Sequence, residues 1–133
     1  MINTELLLKK LSILLVEDDP IARRVCSLFL QDLDYSVDIA NCGQQALSLF
    51  NANYDIVFLD IGLPDINGYE VAKQIRLYEE LHQKKAVHIV AITAHVYDSD
   101  KAECFAAGIN DFISKPISKD SLYRVLLDFA INH

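Results

Sequence analysis

Three short apolar runs constrain this chain more than any other feature: Ile13–Val16 (ILLV), Ile56–Leu59 (IVFL) and Ile89–Ile92 (IVAI). They are rich in β-branched residues and unbroken by charge. Such runs predict strands buried on both faces, the hallmark of a parallel sheet. Tyr35–Ala40 (YSVDIA) and Asp111–Ser114 (DFIS) are weaker strand candidates.

Helical patterns separate the runs. Pro20 suits the first position of a helix, and Asp19 before it is the natural N-cap. Ile21, Val25 and Leu28 follow at i, i+4, i+7 and read as that helix's apolar stripe. Ala46, Leu47 and Phe50 make a short second stripe. Tyr69, Ala72, Ile75 and Arg76 mark a third helix, entered through the turn-rich LPDINGYE. A fourth helix near 98–107 ends at Gly108, a suitable C′ residue. Leu122, Val125, Leu126 and Phe129 mark the last, with Ser118 as its candidate cap.

The order is strand then helix, five times over. That alternation predicts an α/β fold with a parallel sheet, helices on both faces and right-handed crossovers. The 133 residues suit one domain. Residues 1–10 precede the pattern and read as an N-terminal extension or linker; residues 11–133 are the domain.

Charge and cysteine content narrow the function. A formal net charge of −7 opposes a sequence-independent grip on nucleic acid, but not a cation site. Cys26, Cys42 and Cys104 are far apart, lack metal-ligand spacing, and read as reduced thiols. No apolar run approaches membrane-spanning length. The start lacks a basic segment before its apolar patch, so it is a poor secretory signal. No membrane contact by this chain is expected, and the cytoplasm is the expected compartment.

In open parallel sheets the ligand site lies beyond the carboxyl ends of the strands. Glu17, Asp18 and Asp19 follow the first strand, Asp60 the third, Thr93 to His95 the fourth, and Lys115 and Pro116 the fifth. Two like charges ~4 Å apart repel by about 4 kcal/mol at an effective dielectric near 20. Carboxylates converging at one rim therefore need a cation or raised pKa values. Hard oxygen ligands favour Mg²⁺, which uses one or two carboxylates and a phosphate oxygen. Lys115 is a compact donor suited to phosphate, and Thr93 offers a hydroxyl. Together they predict phosphoryl chemistry on a carboxylate.

The segments LLVEDDP, DIVFLDIGLPDINGYE, IVAITAH and AAGINDFISKPIS, in that order, resemble the receiver domain of two-component response regulators. The resemblance spans roughly residues 11 to 129. It implies a flavodoxin-like (βα)5 fold with strand order 2-1-3-4-5. By position, Asp60 would be the phosphoacceptor, taking a phosphoryl group from a partner phosphohistidine. Asp18 would bind Mg²⁺ (or Mn²⁺) directly, Glu17 directly or through water, and the Gly62 backbone carbonyl would complete the protein ligands with Asp60. Lys115 would pair with the phosphoryl group, and the Lys115–Pro116 bond is expected to be cis. Thr93 would bond a phosphoryl oxygen and shift inward on activation. Phe112 stands where receivers carry an aromatic that moves with the threonine; plain core packing is the other reading of it. The domain would assist its own phosphorylation and dephosphorylation without being an enzyme in its own right.

The partners implied are a histidine kinase, a histidine phosphotransfer domain, or both. The short lead and the ITAH and SKPIS segments look like the receiver of a hybrid sensor kinase; a stand-alone receiver is the other context. Pro20, Ile21, Pro116 and Ile117 are candidate docking residues, or simply cap and core. His95, two residues past Thr93, either modulates the lifetime of the acyl phosphate or is a solvated loop histidine. Three rival readings remain, of which a flavin or dinucleotide binder on the same fold would carry a Gly-rich loop after the first strand, where none follows. An aspartate-nucleophile phosphatase would place a second acid at position 62, where Gly62 stands. A non-phosphorylated interaction module would lack one of Asp60, Lys115 or the acids, all of which are present.

Overall fold

The computed structural model describes residues 11–50, 53–94 and 98–132. Strands and helices alternate: β1 (Ile13–Val16), α1 (Pro20–Asp32), β2 (Val37–Ala40), α2 (Gly43–Leu49), β3 (Ile56–Asp60), α3 (Gly68–Leu81), β4 (His88–Thr93), α4 (Asp98–Ala106), β5 (Asp111–Ser114) and α5 (Lys119–Asn132). The sheet is parallel with order β2-β1-β3-β4-β5, as the resemblance implies. Residues 1–10 and His95 lie outside the described residues.

The pleat sorts each strand between two apolar layers. Leu14, Val16, Val57, Leu59, Ile89 and Ala91 face a cluster closed by Ala46, Val71, Ala72, Ile75 and Cys104 of α2, α3 and α4. Ile13, Leu15, Ile56, Phe58, Val90 and Ile92 face the other, closed by Cys26, Leu30, Leu122, Val125 and Leu126 of α1 and α5. β1 and β3 are buried along their whole length. This two-sided burial is why their sequences are unbroken apolar runs.

One expectation fails at α1. Ile21, Val25 and Leu28 are on its solvent side, 75%, 37% and 45% exposed. The face on the sheet is Cys26 and Leu30, with Ala22, Phe29 and Leu33 half-buried. Both stripes have helical spacing. The one that wins starts at Ala22, is smaller at its first two positions, and runs a further turn to Leu33.

Caps fix the ends nearest the site. Asp19 accepts from the amides of Ile21 (3.4 Å) and Ala22 (3.2 Å), and Ser118 Oγ accepts from the Ser121 amide at 3.1 Å. Gly108 has φ +92, and a Cβ there would meet Arg76 Cγ at 2.8 Å, so both backbone and space require glycine.

The register brings the strand ends level. Val16 pairs with Leu59 and Ala40, Asp60 with Ile92, and Thr93 with Ser114. The ladder then runs one residue further. The Glu17 amide donates to Ala40 O (3.1 Å), Ile61 to Ile92 O (3.1 Å) and Lys115 to Thr93 O (2.8 Å). The chain direction is thus fixed where each functional side chain begins.

Candidate functional site

The switch point of the strand order lies between β1 and β3, and there the buried acids meet. Glu17 is fully buried and Asp60 is 2% exposed; Asp18 is half-buried beside them. Carboxylate oxygens of Glu17, Asp18 and Asp60 lie within 4.8 Å of one another. Asp19 stays apart as the helix cap, so the three adjacent carboxylates divide into two jobs.

Lys115 reaches this cluster from the end of β5. Its Nζ is 3.2 Å from Asp60 Oδ1 and 3.5 Å from Glu17 Oε1. The Lys115–Pro116 peptide is cis, as expected. Asp60 Oδ1 also accepts from the Gly62 amide at 3.1 Å. Burial raises the Asp60 pKa, but its contacts with Glu17, the Gly62 amide and Lys115 outweigh burial and hold it below the ordinary value. The site therefore favours the ionised form of Asp60. Glu17 moves the other way: burial, then its contact with Asp60, push its pKa up. At Lys115 burial opposes the charge, but Asp60 and Glu17 outweigh it and raise the pKa.

Glu17 Oε1 is buried without a hydrogen-bond partner. An unsatisfied buried carboxylate oxygen is costly. An orphaned hard donor, beside two further carboxylates, fits a divalent cation of the Mg²⁺ or Mn²⁺ type.

The other expected residues fall around this centre. Thr93 ends β4, half-exposed and level with Ser114, beside the Asp60 strand. Gly62 is exposed, and a Cβ added to it would meet only Asp60 Oδ1, at 3.9 Å. Phe112 is half-buried against the α2–α3–α4 layer, with Lys101 Nζ 5.3 Å from its ring centre. Ile21, Ala22, Val25, Pro116 and Ile117 line a groove of about 450 Å³ that opens from Glu17 and Lys115 along α1.

Arg23 is a neighbour that sequence reasoning missed. Its Nη1 donates to the carbonyls of Glu17 (3.2 Å) and Asp18 (3.1 Å). The available signal was its place in the first turn of α1, because helical side chains lean back toward the N-terminus. Asp65 was missed as well: its two oxygens take the amides of Gly43 and Gln44, each at 2.9 Å, and cap α2 from another loop.

The response regulator receiver domain model matches residues 13–127. The chain belongs to that family. This receiver domain is 36% identical over 124 residues to hybrid signal transduction histidine kinase L of Dictyostelium discoideum, covering 90% of the chain and 7% of that kinase. It is 36% identical to the transcriptional regulatory protein ResD of Bacillus subtilis, covering 80% of the chain and 42% of ResD. The domain thus spans less than half the length of each of these relatives. Among solved structures it resembles the receiver domain of Ssk1, co-crystallised with the histidine phosphotransfer protein Ypd1 of Saccharomyces cerevisiae. The TM-score is 0.86 at 31% identity, over 92% of this chain and 90% of that one. It also resembles the receiver of a Pseudomonas aeruginosa sensor histidine kinase with magnesium in its active-site cleft. There the TM-score is 0.77 at 34% identity, over 90% and 97% of the two chains. Among the described residues no helix is long and apolar enough to cross a membrane.

Proposed function

We propose that this domain accepts a phosphoryl group on Asp60 from a phosphohistidine of a histidine kinase or histidine phosphotransfer partner, with Mg²⁺, and so switches or relays a signal. The observation that carries this reading is the buried Asp60 carboxylate, 3.2 Å from Lys115 Nζ and within 4.8 Å of the Glu17 and Asp18 oxygens. Family membership and the likeness to a receiver crystallised with Ypd1 support it.

The residues divide the work. A carboxylate oxygen of Asp60 forms a bond to phosphorus as the donor's P–N bond breaks, and that electron pair returns to the donor imidazole. Lys115 offsets charge on the transferring group, as a fixed ammonium does in a water-poor site. Glu17, Asp18 and the Gly62 carbonyl would hold the Mg²⁺ with Asp60. The cation supplies neutralisation of phosphoryl-oxygen charge. Thr93 would take a phosphoryl oxygen, and Phe112 would follow it, so that phosphorylation shifts the population of the β4–α4–β5 surface. Ile21, Pro116 and Ile117 in the α1 groove, with the exposed Pro20 at the start of α1, would receive the partner. The cytoplasm is the compartment this partnership requires.

Incubation with a small phosphodonor and Mg²⁺, followed by intact mass, tests the reading. The expected result is one added phosphoryl group, stable to acid and lost in alkali, absent after EDTA and in Asp60→Asn. A persistent adduct in Asp60→Asn refutes it.

A further inference from the structure

Arg23 contacts the main chain of the acidic turn rather than its carboxylates. One guanidinium nitrogen bridges the Glu17 and Asp18 carbonyls at 3.2 and 3.1 Å. These oxygens belong to successive peptide planes, and the Cα of Asp18 is the hinge between them. Each plane is rigid. Tying both oxygens to one nitrogen therefore restricts φ and ψ at Asp18, and with them the direction of its Cβ.

Asp18 needs this more than its neighbours do. The Asp60 carboxylate is held by Lys115 and the Gly62 amide. The Glu17 carboxylate is held by Lys115 and, at 3.4 Å, by the Asp19 amide. The Asp18 carboxylate has no hydrogen-bond or ion-pair partner among the described residues, yet it lies within 4.8 Å of the other two acids. Repulsion would turn a free side chain outward.

We propose that Arg23 is a positioning residue of the cation site, restricting the backbone at Asp18 so that its carboxylate faces Glu17 and Asp60 before the cation arrives. The proposal rests on reading the three acids as a divalent-cation site. Groups that orient metal ligands change affinity by about 10–100-fold when removed.

Calorimetric titration of the domain with Mg²⁺ tests it. Arg23→Met, which keeps the length and loses the donors, is expected to weaken binding about tenfold. Amide spectra in EDTA should show changes confined to residues 17–19 and the first turn of α1. Arg24→Met removes the same charge from the neighbouring exposed residue and is expected to bind as wild type. Arg23→Gln, whose amide reaches one carbonyl at most, is the second variant should Arg23→Met not fold. Wild-type affinity in the folded Arg23 variant overturns the proposal, and so does equal weakening in Arg24→Met, which would make the effect one of distant charge. If wild type itself binds no Mg²⁺, the cation-site reading fails instead. Asp18→Asn marks the size of a lost ligand in the same titration.

Discussion

Glu17 Oε1 is buried without a hydrogen-bond donor, and its ion pair with Lys115 Nζ spans 3.5 Å. One ammonium serves two buried acids, because the same Nζ is 3.2 Å from Asp60 Oδ1. The rim is therefore under-compensated, and a cation held by these acids would stabilise the fold. A ligand that binds only the folded state stabilises it by about 2.7 kcal/mol at ~100 times its Kd, several degrees in Tm for a domain of this size. Mg²⁺ should raise the melting temperature by that order, and Asp18→Ala should abolish the rise. An unchanged rise in Asp18→Ala, followed by circular dichroism, contradicts the assignment of Asp18.

Asp65 links acid stability to one cap. The amides of Gln44 and Gly43 hold its pKa well below the usual carboxylate range. In the unfolded chain it titrates near ~3.9. The folded state thus prefers the ionised form, so the contribution is complete above the unfolded pKa and is lost as pH falls toward the folded one. Asparagine supplies one acceptor where two amides need two. Asp65→Asn should lower Tm at pH 7, and the gap to wild type should narrow from about pH 5 to 2. A gap independent of pH would show that the carboxylate charge contributes nothing.

The strands were legible because β1, β3 and β4 are covered on both faces, which forces unbroken apolar sequence. The site was legible only through the fold, since Glu17, Asp60, Thr93 and Lys115 share no local spacing and meet because parallel strand ends come level. The buried face of α1 was misread because two stripes on that helix have the same period, and periodicity does not say which faces the sheet. Arg23 and Asp65 act on backbone groups of other segments. Side chain to backbone contacts leave no pattern in residue type. The same holds for Glu79, which looks like a surface i, i+3 partner of Arg76 and is 4% exposed.

Glu79 accepts from Arg76 Nη1 at 2.8 Å and from the Val87 amide at 2.6 Å, while Arg76 also reaches Gly108 O and Asn110 Oδ1. This joins α3 to the chain entering β4 and to the turn before β5. Without Glu79 the buried Val87 amide loses its acceptor and the half-buried Arg76 its carboxylate. Glu79→Ala should cost about 3 kcal/mol in urea unfolding, with Mg²⁺ affinity unchanged because the network is not part of the acidic rim. A cost under about 0.5 kcal/mol would reduce it to an ordinary surface pair.

The misread face of α1 carries the last expectation. Ile21, at 75% exposure, stands at the mouth of the groove that Val25, Pro116 and Ile117 line beside Lys115. An apolar side chain this exposed, in a groove that reaches Glu17 and Lys115, suits contact with a protein donor and is useless to a small one. Losing an anchor worth about 1.4 kcal/mol lowers affinity tenfold. Ile21→Asp also adds charge to a rim already crowded with carboxylates. It should slow transfer from a phosphohistidine protein by roughly tenfold or more, while labelling by a small phosphodonor proceeds at the wild-type rate. Equal slowing with both donors would place the defect in the acidic rim itself, and equal rates with both would remove Ile21 from the docking surface.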